Sequence, residues 1–303
     1  MLLRPKHFIP VLFSLFVATG FSQPFVDILN TSFQSLNTTY KDSSKLKNTT
    51  DNYFLNITLP IKIDSLNTVI VRFYGENLYS QTKIDTSYLS YNLTSALLPI
   101  GLQHETKNKK WKYLGLLMPK LSGHLREETT NKDFQMGGYG LVTYNKSDKL
   151  KIKLGLFYNR EFFGNFFVPL FGVDWRVSDR FQMYGVLPSN YRLEYALIKQ
   201  KLYAGLGMKW YTRSYHIDLH NGKTDSTNVY IKNQELQAKA FVEYYIAKRF
   251  VLFGEFGRTF NYSPKMYWSG SKNQVADFNL YSPIQDNFFF NMGLAYRIRF
   301  DFN

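Results

Sequence analysis

Cysteine is absent from the 303 residues. That excludes disulfide frameworks, thiolate metal sites, a cysteine nucleophile and the lipidated N-terminal cysteine of a bacterial lipoprotein. Histidine is scarce, at 5 residues. The chain has no phosphate-binding glycine loop, no His-Glu-x-x-His and no EF-hand loop, and the glycines of Met136–Gly140 fall inside an alternating stretch, where they permit bending or close packing. After the first 22 residues no apolar run approaches the ~20 residues with which a helix crosses a bilayer. A mature chain that enters a membrane must therefore do so with strands. Acidic residues are few, 23 against 37 basic, for a net charge of +14. The basic residues are scattered through turns, loops and alternate strand positions. That scatter argues against nucleic acid and makes anionic lipopolysaccharide the more natural partner.

What is abundant is aromatic: 27 Phe, 23 Tyr and 4 Trp. Amphipathic rings at this density suit a protein that meets headgroups. The N-terminus supplies a route to a membrane. Arg4 and Lys6 precede an apolar stretch from Phe8 to Phe21, and Gly20-Phe21-Ser22 offers small residues before Gln23. Residues 1–22 read as a secretory signal peptide and 23–303 as the mature barrel. Cleavage would remove two of the 37 basic residues, so +14 falls to +12.

The rest of the chain alternates with a period of two. Phe288, Phe290, Met292, Leu294, Tyr296, Ile298, Phe300 and Phe302 share one face, and Asn291, Gly293, Ala295, Arg297, Arg299 and Asp301 the other. Soluble strands are usually shorter than this one. Tyr53 to Ile63, Leu150 to Tyr158 and Leu236 to Ile246 repeat the pattern, with one apolar face and one mixed polar and aromatic. An apolar exterior around a polar interior is what a transmembrane β-barrel requires.

Short polar turns near Asp64–Asn67, Thr106–Lys110, Asn145–Asp148, Ser178–Arg180, Lys199–Gln200 and Ala247–Arg249 alternate with mostly longer connections. The longer ones lie near 80–87, 123–133, 161–166, 188–190, 214–229 and 262–286. This punctuation predicts an all-β, antiparallel barrel of 14 strands, with 12 as the fallback. The weakest strand signals are the first, at 25–36, and the short pair at 181–187 and 190–198. An even count leaves both termini on the periplasmic side.

Tyr296 to Phe302 resembles the closing strand that barrel-assembly machinery reads, with Asn303 as one extra residue. Gly172-Val173-Asp174-Trp175-Arg176-Val177-Ser178-Asp179-Arg180, then Gly185 to Asn190 and Leu193-Glu194-Tyr195, resemble the core of an uncharacterised outer-membrane barrel family of Bacteroidota. That resemblance implies an outer-membrane barrel in a Gram-negative cell and supplies no substrate, cofactor or catalytic residue.

Parity sends Arg176, Arg192, Glu194, Arg297 and Arg299 inward, with Arg72, Glu76, Lys151, Lys153, Asp174, Lys239, Glu243, Glu255 and Asp301. A lining of both signs reads either as a paired network or as a selectivity region. Inward Phe157, Tyr184, Phe241, Tyr245, Phe253 and Phe289 would narrow the lumen further. The interior of 14 strands falls between the filled eight-stranded barrels and the open channels of sixteen or more. His104 and His124 have no nucleophile that parity places beside them, so the chain reads as non-enzymatic. His216, Asp218 and His220 share one strand face with a donor set suited to zinc or copper. An exposed polar hairpin arm explains them as simply, and no metal or other cofactor is expected. The functional expectation is a narrow passive pore for small hydrophilic solutes. The alternatives are a non-conducting structural or surface-binding barrel and, less favoured, a lipid-modifying enzyme.

Overall fold

The computed structural model describes residues 24–40, 43–84, 87–125, 131–220, 226–260, 265–268 and 284–300. The signal-peptide segment, Asp301 and Phe302 lie outside these residues. The strands are β1 (Phe25–Tyr40), β2 (Ser43–Lys62), β3 (Asn67–Ile84), β4 (Ser87–Leu97), β5 (Ile100–Glu105), β6 (Trp111–Gly123), β7 (Phe134–Ser147) and β8 (Leu150–Glu161). They continue as β9 (Gly164–Arg176), β10 (Phe181–Val186), β11 (Asn190–Ile198), β12 (Leu202–His220), β13 (Ser226–Tyr245), β14 (Phe250–Phe260), β15 (Lys265–Trp268) and β16 (Ile284–Arg299). Apart from one short 3-10 turn at Asn131–Asp133, the described structure is all strand and turn.

Successive staves of the sheet pair antiparallel, β1 pairs with β16, and the sheet closes on itself. Two pairs of segments are single staves. β4 and β5 form one wall strand interrupted at Leu98–Pro99, because both lie between β3 and β6. β15 continues the edge along β13 above β14. Counted as staves, the 16 segments make a closed barrel of 14 strands. Closure pairs the edges an open sheet would leave bare, which is how a sheet satisfies its backbone in hydrocarbon, and only above the short β10–β11 hairpin do β9 and β12 run without a wall partner on one side.

The punctuating residues act as their chemistry requires. Asp64 accepts backbone hydrogen bonds from Leu66 (2.7 Å) and Asn67 (2.8 Å), and the Asn67 side chain holds its carboxyl below the usual range. Ser178 does the same for Phe181 (3.0 Å), and Lys109 and Gln200 take left-handed conformations in their turns. At the opposite end the strands run farther than the sequence predicts. The stretch read as a loop at 214–229 is strand up to His220 and again from Ser226. Polar, weakly alternating residues hid this extension, since the hydrophobic signal fades above the membrane.

Outside, the odd residues of β2 and the even residues of β8 are exposed: Leu59 and Ile61, Leu154 and Leu156. Trp111, Trp175, Tyr195 and Tyr244 ring the barrel near the short turns, and Tyr53, Phe167 and Phe288 lie farther up the wall. Two aromatic girdles around an aliphatic band are the exterior of a membrane barrel. Inside, Ala295 is buried against Tyr203, Tyr245 and Val251. Parity alone would suggest that this face tolerates bulk, but here the interior is packed. The contrast between faces is better tested on β8. Leu154→Arg should lose folding into lipid vesicles at a cost of about 2–4 kcal/mol for midplane charge. Phe157→Arg, which faces the lumen cavity but loses packing against Leu141, Leu170 and Val186, should lose clearly less than Leu154→Arg because its charge can reach the cavity. Equal losses at both positions would reverse the assignment of faces.

Candidate functional site: the lumen

Near the short turns, side chains from facing walls meet. Arg297 binds Asp27 (2.5 Å) and Glu243 (2.6 Å), and Arg192 binds the other oxygen of Glu243 (2.7 Å). Arg299 pairs with Glu194, which also accepts hydrogen bonds from the Tyr184 hydroxyl (2.9 Å) and Gln182 (2.7 Å). Phe25 lies under the Arg297 guanidinium, 3.5 Å from ring centroid to Cζ, and contacts the Tyr184 ring at 5.7 Å. Because β1 and β10 lie on well-separated parts of the wall, that last contact crosses the lumen. Four of the five residues singled out by parity, Arg192, Glu194, Arg297 and Arg299, therefore belong to one plug. Arg176 does not join it. It is exposed at the turn end, with its backbone N–H bonded to Lys149.

Desolvating these charges is tolerable only because each has a partner, and the guanidinium groups can serve two acceptors at once. At the same end Lys153 binds Asp174 (2.6 Å), and higher in the lumen Lys239 binds Glu255 (2.7 Å). Arg213 links Glu76 (2.8 Å) and Glu235 (2.5 Å).

The long-loop end is closed differently. Arg213 to Ile217 on β12, and Val229 to Ile231 on β13, are buried at consecutive positions. A wall strand cannot bury both faces while one meets lipid. This hairpin has left the wall and leans across the mouth. On the far side His216 forms a bridge with Gly123 of β6, and Ser122 Oγ donates to the Ser214 carbonyl (2.8 Å). Gln135 donates to Ser214 Oγ (2.9 Å), and the Ser214 hydroxyl donates to Glu161. Tyr215, Ile217, Val229 and Ile231 pack against Leu78 and Leu93 of the β3 and β4 wall. We refer to this hairpin as the lid.

His216 is part of it. Its Nδ1 lies 2.8 Å from Asp133 Oδ1, and the residue is buried, which corrects the expectation of an exposed arm. The residue lies on a strand, β12, as the extended reading had it, but the sequence carried no sign that the arm folds inward. The side chains of Asp218 and His220 lie outside those described. No group of three metal-ligating side chains occurs among the described residues.

Between plug and lid lies a cavity of about 690 Å³. One side is polar, with Arg72, Glu76, Lys209, Lys239 and Glu255. The other is apolar, with Leu114, Leu116, Leu141, Phe157 and Leu170. Sequence reasoning placed Phe157 inward but missed the leucines of this wall, because Leu at alternating positions is read as lipid-facing wherever both faces of a strand are apolar. If Arg72 faces water in the cavity, Arg72→Cys should react with a small water-soluble thiol reagent while Leu154→Cys reacts only with a lipid-soluble one. The reverse pattern in folded vesicle samples would contradict the facing.

A family described as a domain of unknown function, DUF6268, matches residues 20–297. The chain belongs to this family. The match runs from before β1 into β16 of the DUF6268 barrel. No curated protein matches the chain. Solved structures similar to the DUF6268 barrel include the COG4313 outer membrane channel from Pseudomonas putida F1, at 11% identity and a TM-score of 0.45, covering 90% of this chain and 96% of that one. Others are the TodX deltaS2S3 mutant monoaromatic hydrocarbon channel, at 11% and 0.44 with 90% and 89% covered, and the NanC porin, at 6% and 0.39 with 89% and 100% covered.

Proposed function

We propose that this barrel is an outer-membrane channel that passes small hydrophilic solutes slowly and is shut at rest. The observation that carries the reading is the charged cavity that lies between two axial closures of different kinds. The plug is made of fixed wall side chains, whereas the lid is a hairpin held by noncovalent docking. A lumen without transport would have no need of a hydrated charged chamber, and burying unpaired charge for structure alone is costly. The apolar exterior, the signal-peptide reading and the closed even-stranded barrel support a place in the outer membrane of a Gram-negative bacterium. The closing strand is the proposed signal to the assembly machinery, and lipopolysaccharide the proposed neighbour of the basic surface.

Solute passage should appear in planar bilayers as small, brief steps of current. A folded sample that conducts nothing, in a bilayer where a known porin conducts, would favour the second reading, a non-conducting structural barrel. The tight hydrogen bonding of the lid is the observation on that side.

A further inference from the structure

The barrel wall has an opening at mid-membrane depth. The β10–β11 hairpin is short and turns at Leu187–Ser189, where Leu187 exchanges backbone hydrogen bonds with Phe171 of β9 (2.7 and 3.0 Å) and Ser189 accepts one from Trp210 of β12 (3.1 Å). Register fixes the height of this turn. Phe171 is opposite Leu154, Trp175 is opposite Leu150, and Phe167 is opposite Tyr158. The hairpin tip is thus level with a point halfway between the lower Trp175 girdle and the upper Phe167–Tyr158 pair.

Above the tip, no described strand lies between β9 and β12. Residues 164–170 pair only with β8, and β12 beyond Trp210 pairs on the wall only with β13. Higher up, where β12 leans inward as the lid, the Phe162 N–H donates to Ser214 Oγ (3.4 Å) and bounds the space from above. The result is a framed gap: the hairpin tip as floor, β9 and β12 as sides, the β8–β9 turn as roof. On β12 the cavity lining runs through five consecutive residues, Lys209 to Arg213, instead of alternate ones, so the cavity reaches round the strand edge into the gap. Phe166, Val168, Leu170, Val186 and Pro188 line the same passage, and inside it Leu141, Leu170 and Val186 form a buried cluster with Phe157.

We propose that this gap is a lateral entrance, by which small apolar or amphipathic molecules pass between the bilayer and the apolar side of the lumen cavity. Unsatisfied strand edges facing hydrocarbon are expensive, so a gap kept at this depth calls for a use. The cavity falls in the size range of sites for small organic ligands, about 300–1,000 Å³. A polar wall with Arg72 and Lys209 opposite an apolar one also suits a molecule with an anionic head and a short chain or ring. This entrance does not depend on axial conduction.

The test uses the full mature chain folded in phosphatidylcholine vesicles, with an aryl trifluoromethyl diazirine dissolved in the bilayer as an apolar photolabel and mass spectrometry to locate the adducts. Outward Phe167 and Phe171 serve as internal positive controls. Inward Val168, Leu170 and Leu141 should be labelled as well, and excess decanoate should cut that inward labelling at least fivefold while sparing the outward positions. Ser189→Trp, at an exposed position on the floor of the gap, should also reduce the inward labelling. Thr212→Phe on the facing edge is the second variant if the first folds poorly. Labelling confined to outward positions would overturn the proposal. So would inward labelling that ignores both floor and edge variants but rises when the lid is displaced, because entry would then be through the mouth. Planar-bilayer conductance of the same samples separately reads the axial pore.

Discussion

Arg297→Ala combined with Arg299→Ala is expected to enlarge the current steps severalfold and shift ion preference toward cations. Arg297 bridges Asp27 and Glu243, and Arg299 holds Glu194, so the double variant leaves three carboxylates in the plug with two guanidinium groups fewer. Space opens where Phe25 and Tyr184 meet across the lumen. Breaking a buried pair on one side costs about 3–5 kcal/mol, so the barrel should also unfold at lower denaturant. Arg297→Lys with Arg299→Lys separates the two effects. It keeps the positive charge, so selectivity should stay near that of wild type even if lost bidentate geometry lowers stability. Unchanged step size in the alanine pair would show that the constriction lies elsewhere.

The wall was legible in the sequence because lipid imposes a rule on every residue that meets it. Phe288, Phe290, Met292 and Leu294 are exposed, Arg297 and Arg299 are buried, and the short turns fall where Asp64, Ser178 and Gln200 place them. Even β1, β10 and β11, the weakest of the signals, are strands. Inward parity also placed Tyr184, Phe241, Tyr245 and Phe289, all of them buried. Who pairs with whom was not legible. Arg297 and Asp27 are separated by 270 positions, and only closure of β1 on β16 brings them together. The lid was hidden for a different reason. Arg213, Ser214, Tyr215, His216 and Ile217 alternate no better than a loop, since a strand buried on both faces obeys neither the lipid rule nor the solvent rule. The gap above Leu187–Ser189 follows from strand lengths. The brevity of 181–187 and 190–198 was visible in the sequence, although what their shortness exposes becomes clear only beside the longer β9 and β12.

Gly123→Val is expected to raise the fraction of time the channel is open without changing the size of its steps. A Cβ at Gly123 would sit 2.7 Å from the His216 carbonyl oxygen and 2.7 Å from Asp133 Oδ1, so β12 and the Asn131–Asp133 turn would both have to move. The added side chain wedges the lid from the β6 wall at the point where Ser122 and Gln135 hold Ser214. Loss of one or two such hydrogen bonds, at about 1 kcal/mol each, corresponds to roughly a tenfold shift in the closed-to-open balance. Step size should not change, because the plug is untouched and lies in series. Gly115→Val is the control, since its Cβ would meet nothing within 4 Å. His216→Ala removes the contact with Asp133 without adding bulk, and it should move the open fraction in the same direction by a smaller amount. Ile217→Cys in the Gly123→Val background supplies a readout independent of current, because a water-soluble maleimide should reach it faster once the lid is lifted. If neither open fraction nor labelling changed, the hairpin would be a fixed part of the wall and the plug alone would set the gate.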